Sequence, residues 1–314
     1  MLDSDIYRKH LLKSWGFSFP ILVYDKYRNH TALLSECFSV ASENLNFEIK
    51  TLLTEKERNA FQALYMNLPQ ILTEMIGELN CLLELRSQMV LFPADTSTQT
   101  VKNAFGKLKR PGFKGGRFTE RGEQLLNKIE KPLSMELRNQ LLSFDSSFMS
   151  NDQLRLDFFI CVMRQVWSSP KKQTALPGLL ARLGIKESDA ISTDRMFPYF
   201  VYHQIAICSI IMSTDSQYRI SFLRIPLRAN YEFIFTDNPV IDFCGESKLS
   251  ETHDNNRFLW VISPTLAVMV SNNADGESRF VTEEEVVRYN ALLFKKATRY
   301  VVLNKDHDFL PSCS

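Results

Sequence analysis

Phe233-Ile234-Phe235-Thr236-Asp237-Asn238-Pro239-Val240 is a short apolar strand that runs directly into an Asp-Asn-Pro turn. It places a carboxylate and an amide at the end of a buried element. Such groups need partners or a ligand, because an unpaired buried polar atom costs roughly 1–3 kcal/mol. Around this stretch, beyond Gln217, the apolar period is that of strands. The expected ones are Arg219 to Ile225, Tyr231 to Thr236, Arg257 to Ile262, Leu266 to Val270 and Arg299 to Leu303, with turn residues between them. Among them, Thr282 and Glu285 form a capping box that opens a helix facing inward through Val286, Leu293, Phe294 and Ala297. Asn290 stands four residues after Val286 and four before Phe294, on the inward stripe, where its amide needs a partner. The Asp237-Asn238 turn is the expected one.

Upstream, the period is helical. Thr54 and Glu57 make a second capping box, Pro69 marks a break, and Ile71, Leu72, Met75, Ile76, Leu79, Leu82, Leu83 and Val90 recur at helix spacing, the mark of a packing face. A further helix is expected from Asn151 to Trp167, apolar over most of its circumference, with Asp157 and Arg164 aligned on the remaining strip. The run from Met196 to Met212 carries His203 on its apolar stripe. Helices first and strands later argue for an α+β fold, an N-terminal helical region followed by a small, mostly antiparallel sheet with flanking helices. The expected division is 1–150 and 151–314, or one continuous domain.

The chain has 314 residues, 45% of them hydrophobic and 23% charged, with a formal charge of +1. That balance excludes a globally basic protein, so a nucleic-acid site must be a local patch. Such a patch is legible between Val101 and Arg121. Lys102, Lys107, Lys109, Arg110, Lys114, Arg117 and Arg121 face only Glu120 there, with glycines and Phe105, Phe113 and Phe118 interleaved. Cations on a glycine-permissive backbone beside aromatic platforms suit phosphate contact and base stacking, though a solvated loop has the same composition. The six cysteines (Cys37, Cys81, Cys161, Cys208, Cys244, Cys313) include no Cys-x-x-Cys pair, the pattern of reduced core thiols in the cytoplasm. The start of the chain lacks the apolar core of a signal peptide, and the apolar run Phe258 to Val270 is broken by Ser263 and Pro264. No membrane span is expected.

Four ordered pieces carry a family resemblance. They are Phe233 to Val240; Ile262-Ser263-Pro264; Asn290 followed by Arg299-Tyr300-Val301; and Gln165 before Ser168-Ser169-Pro170. Together they resemble the bacterial domain-of-unknown-function family numbered forty-two thirty-eight, with the match running over residues 150 to 305. In the family's fourth piece an arginine precedes the Thr-Pro; here it is replaced, with Arg164 one turn earlier. Ile6-Tyr7-Arg8-Lys9-His10-Leu11 is a degraded version of the family's opening motif. The sporadic, bacterial character of the family implies a toxin or antiviral defence effector.

The candidate chemistry is a composite of Asp237 as acid or base, Asn238 and Asn290 as orienting amides, His203 as proton shuttle, and Arg299 or Arg164 as anion stabiliser. These types suit phosphodiester cleavage, in which an acid-base group and a cation for the developing charge suffice. The same residues suit a structural polar knot. The leading expectation is therefore a nucleic-acid-directed, nuclease-like enzyme, and the alternative is a non-enzymatic module that binds a ligand or partner through the same pocket. RNA or DNA is the expected partner, with a protein partner or homo-oligomer left open. No cofactor is legible. A divalent metal stays open, since the five histidines have no ligand-like spacing.

Overall fold

The computed structural model describes residues 22–26, 30–33, 49, 51–89, 120–130, 133–167, 172, 175–188, 190–236, 238, 240–243, 256–272, 277–297 and 300–303. The α+β expectation holds. The chain divides into two compact units, each assembled from separated stretches: a sheet unit of Met1–Asn46, Leu133–Pro170 and Ile210–Ser314, and a helical unit of Phe47–Pro132 and Lys171–Ser209.

The helical unit contains α1 (Glu55–Tyr65), α2 (Gln70–Met89), α3 (Glu120–Glu130), α6 (Ala175–Arg182) and most of α7 (Thr193–Thr214). α1 starts at the expected capping box, with Thr54 Oγ1 accepting from the Glu57 N–H and the Glu57 carboxylate accepting from the Thr54 N–H. α2 starts after Pro69 and buries Leu72, Met75, Ile76, Leu79, Leu82 and Leu83, while Ile71 turns outward. Gly122 lets α3 approach α2 closely, since a β-carbon there would stand 3.1 Å from Glu78 Oε2 and 3.2 Å from Leu82 Cδ1. α7 is long and apolar enough, by length and composition alone, to cross a membrane. It is also deeply packed, with Met196, Tyr199, Phe200, Val201 and His203 buried.

Glu57 does more than cap. Its fully buried carboxylate also accepts from the Ser192 N–H at 2.9 Å and from Arg195 Nε at 2.9 Å. One side chain thus ties the start of α1 to the start of α7. Burial pushes this carboxyl up, but the Ser192 and Thr54 N–H groups and the Arg195 guanidinium together pull it further down, leaving it below the ordinary carboxylate value.

The sheet unit holds nine strands, β1 (Leu22–Asp25), β2 (His30–Leu33), β3 (Arg219–Arg224), β4 (Phe235–Thr236), β5 (Val240–Asp242), β6 (Asn256–Ser263), β7 (Leu266–Ser271), β8 (Ser278–Phe280) and β9 (Tyr300–Leu303), among the described residues. They form a four-stranded sheet ordered β2-β1-β9-β4 and a five-stranded sheet ordered β5-β6-β7-β3-β8. All pairs are antiparallel except β3 with β8. α8 (Glu283–Lys296) buries Val286, Tyr289 and Leu293 in a core with Leu223, Ile241, Leu259, Val261 and Met269 of the larger sheet and Tyr24 and Val301 of the smaller. The alternate residues of that larger sheet face α5 (Asp152–Trp167), as where Phe158 meets Trp260 with centroids 6.0 Å apart. α4 (Met135–Leu142) and a 3-10 turn, Ser147–Ser150, precede α5. Lys26, just past β1, donates to the Phe294 and Ala297 carbonyls at 2.8 and 3.0 Å and so closes the C-terminal end of α8.

Glu57 generates a pH prediction. Its folded value lies below the unfolded one, so its stabilisation is fully present above the ordinary carboxylate range and is lost as pH falls through the lowered value. Glu57→Ala is expected to lower stability by about 3 kcal/mol at neutral pH, the cost of leaving Arg195 and two N–H groups without their acceptor. Glu57→Gln should flatten the acid limb below pH ~4.5 in denaturant unfolding measured across pH. An acid limb as steep as that of the wild type would exclude this role.

Candidate functional site

The Phe233 to Val240 stretch is the crossover between the two sheets of the sheet unit. β4 is an edge strand of the smaller sheet, β5 is an edge strand of the larger, and Asp237, Asn238 and Pro239 join them. The sequence reading extends the first strand back to Tyr231, whereas the ladder begins at Phe235. The reason lies in where the preceding backbone groups go. Asn290 Nδ2 donates to the Glu232 carbonyl at 2.8 Å, Asn290 Oδ1 accepts from the Ile234 N–H at 3.0 Å, and the Phe233 N–H donates to the Pro264 carbonyl at 2.8 Å. A side-chain amide carries one donor and one acceptor in the geometry of a peptide group, so Asn290 stands in for a neighbouring strand. Its partners are therefore the strand approach at 232 and 234, not the Asp237-Asn238 turn that the sequence reading expects.

Three of the four family-like pieces thereby meet. The approach to β4 bonds to Asn290 and to Pro264 of the Ile262-Ser263-Pro264 piece, and Thr236 pairs with Val301 of β9. Gln165, from the fourth piece, is exposed on α5. Within the turn, Thr236 Oγ1 accepts from the Asn238 N–H at 3.1 Å. Asn238 Oδ1 is buried and has no hydrogen-bond partner among the described residues. Asp237 and Arg299 lie outside the described residues, as do Lys102, Lys107, Lys109, Arg110, Lys114 and Arg117 of the basic segment and the opening motif around His10. Glu120 and Arg121, at the end of that segment, begin α3.

Arg164 is half-buried on α5. Asp157 and Arg164 flank Cys161, whose thiol is pushed up to about 12 by burial, with Arg164 pulling it down and Asp157 pushing it up. His203 belongs to the helical unit and is fully buried. Its Nε2 lies 2.6 Å from Asn80 Oδ1 and its Nδ1 3.1 Å from the Tyr65 hydroxyl. A neutral imidazole with its proton on Nε2 satisfies both, donating to Asn80 and accepting from Tyr65. The ring also meets the edge of Phe61 at 4.9 Å. Burial alone pushes His203 down to about 3, so it stays neutral through the physiological range and acts as a core hydrogen-bonding pivot. Among the described residues no group of three or more His, Cys, Asp or Glu is placed to hold a metal ion.

Two predictions follow from this geometry. Asn290→Ala leaves the buried Ile234 N–H and the part-buried Glu232 carbonyl without their side-chain partner and should destabilise the sheet unit by about 1–3 kcal/mol. Asn290→Asp should rescue little, since a carboxylate cannot donate to Glu232; a melting temperature within ~1 °C of the wild type for either variant would contradict the clamp. His203, neutral when folded, protonates near pH 6.5 once unfolded. Its folded value is depressed, so stability is full above pH 6.5 and declines as pH falls, by about 2 kcal/mol at pH 5. His203→Gln should remove that slope between pH 6.5 and 5 in denaturant unfolding, whatever its effect at neutral pH.

No curated protein and no solved structure matches the chain. The family described as Protein of unknown function (DUF4238) matches residues 9–307, nearly the whole chain, where the short motifs point mainly to 150–305. The strand-and-turn stretch, the amide that clamps it and the proline carbonyl beside it all lie within the matched residues, and the chain belongs to the DUF4238 family.

Proposed function

We propose that the crossover turn is the working end of an intracellular, nucleic-acid-directed enzyme that hydrolyses phosphodiester bonds, acting as a bacterial toxin or antiviral defence effector. The observation that supports it is the buried, unpartnered Oδ1 of Asn238 directly after a backbone segment clamped by Asn290 and Pro264. An acceptor held there at a cost is accounted for by a donor on a bound ligand, and sugar hydroxyls and base amines are such donors. Asp237, next to it in sequence, is the acid-base group in this reading. Arg299, two residues before the register partner of Thr236, supplies the cation. The basic segment from Lys102 to Arg117 holds phosphates. His203 and Asn290 act as packing and positioning groups, since their polar atoms are already committed to protein partners.

That last commitment also favours a second reading, a module that binds nucleic acid or another ligand at the turn without cleaving it. Incubating purified protein with labelled RNA and DNA, with and without a divalent metal, separates the two. Asp237→Asn keeps the side-chain shape while removing charge and basicity, and is expected to lower cleavage on the order of a hundredfold or more with little change in melting temperature. Binding without cleavage by the wild type supports the module. A variant that melts several degrees lower yet cleaves as well as the wild type per folded molecule overturns the enzymatic role of the turn.

A further inference from the structure

The sheet unit carries a second arrangement of unspent polar groups, outside the crossover turn. α4 ends with the Asp145 N–H donating to the Gln140 carbonyl at 2.9 Å and the Phe144 N–H to the Leu141 carbonyl at 3.3 Å. That closure puts Phe144 at φ 59°, a left-handed position that glycine ordinarily fills. A bulky residue there is strained, and such strain persists where the side chain has a task. The ring of Phe144 lies edge-on to Phe222, with centroids 6.1 Å apart, and the Arg224 guanidinium stands 4.0 Å from its centre. Arg224 pairs in register with Phe280 of β8, and its guanidinium is also 4.9 Å from that ring.

Arg224 is half-buried, and among the described residues its guanidinium stacks on these two rings and has no carboxylate or carbonyl acceptor. Of the acids close to these residues in the chain, Asp145 accepts from the Ser147 N–H at 2.8 Å and Glu285 pairs with Arg279 at 2.8 and 3.1 Å. Phe280 is 58% exposed on the edge strand of the larger sheet, and Leu227, three residues after Arg224, is fully exposed. A guanidinium fixed against aromatic faces keeps its N–H donors for an anion at its rim, and an exposed phenylalanine offers a flat face to a second flat group.

We propose that Arg224, Phe144 and Phe280 form a contact for single-stranded nucleic acid, in which a phosphate takes the guanidinium rim and an unpaired base stacks on the exposed face of Phe280. This rests on the nucleic-acid reading of the turn and adds a second point of attachment on the same unit. A protein partner fits less well. The surround is polar, with Ser278, Arg279 and Arg228 exposed close to the two rings in the chain together with the acids Glu277, Glu283 and Glu284, whereas a protein contact of this kind is centred in a broader apolar patch.

The test is fluorescence anisotropy of a labelled single-stranded oligonucleotide against the full chain over a range of salt concentrations. Phe280→Ala and Phe280→Leu are each expected to weaken binding roughly tenfold at an unchanged salt slope, while Phe280→Trp retains it, because stacking needs a π face and not merely bulk. Arg224→Gln should weaken binding and lower the salt slope by about one, the loss of one phosphate contact. Arg288→Gln, which removes an exposed charge on α8, is the charge-matched control and should bind as the wild type does. Melting temperatures of all variants accompany the titrations, so that affinities refer to folded protein. If the wild type binds nucleic acid and Phe280→Ala and Arg224→Gln bind equally well, this contact is overturned and the broader reading stands. If the wild type binds no nucleic acid, both fall.

Discussion

The sheet unit depends on one side chain doing the work of a missing strand. Residues 232 to 234 approach the edge of the smaller sheet before the β4 ladder begins, with Phe233 and Ile234 buried and Glu232 half-buried. The carboxamide of Asn290, delivered by the inward face of α8, supplies one acceptor and one donor at the spacing of a peptide group. The Pro264 carbonyl takes the N–H between them. This arrangement lets the chain leave one sheet at Thr236 and join the other at Val240 in three residues. Because α8 is itself fixed, by its capping box at Thr282 and by Lys26 on its last carbonyls, the clamp is rigid at both ends.

The helical unit solves the same problem with a charge. Glu57 satisfies the N–H groups of Thr54 and Ser192 and pairs with Arg195, so that two helix starts far apart in sequence share one carboxylate. A buried carboxylate with this many donors is stable where a lone one would take up a proton. His203 follows the complementary rule. With neutral acceptors and donors at both nitrogens, it stays uncharged and adds no buried charge to the core. Each unit thus pins a helix with one polar residue whose side-chain polar atoms all meet protein partners.

The sequence showed what depends on local pattern. Both capping boxes, the break at Pro69, and the helices ending at Trp167 and crossing His203 are where spacing puts them, because a 3.6-residue period over many turns is a strong signal. β6 and β7 likewise announce themselves by continuous apolar runs. What escaped is non-local or short. β1 and β2 are four residues each and gain their place by pairing β1 with β9, from the far end of the chain. β8 is three exposed residues with no buried alternation at all. Of the candidate site, the inward Asn290 was legible as an amide in need of a partner, but which backbone it holds was not, since that follows from the path of residues 232 to 234. The role of Glu57 beyond its cap was hidden for the same reason, Ser192 and Arg195 lying well over a hundred residues away.

Commitment of polar atoms is what separates architecture from chemistry here. An Asn, His or Glu whose every hydrogen-bonding atom meets a protein partner has little left for a ligand, and Asn290, His203 and Glu57 are in that condition. Asn238 and Arg224 differ. One holds a buried oxygen without a donor, the other a guanidinium that stacks on two rings and has no acceptor, among the described residues. The half-buried Arg224 offsets part of its desolvation by stacking on two rings, whereas the Asn238 oxygen has no such offset. Phe144, whose ring Arg224 rests on, holds a left-handed backbone conformation that is strained for a residue with a β-carbon. Unspent hydrogen-bonding capacity of this kind sets Asn238 and Arg224 apart from Asn290, His203 and Glu57, whose polar atoms are taken up in holding the fold.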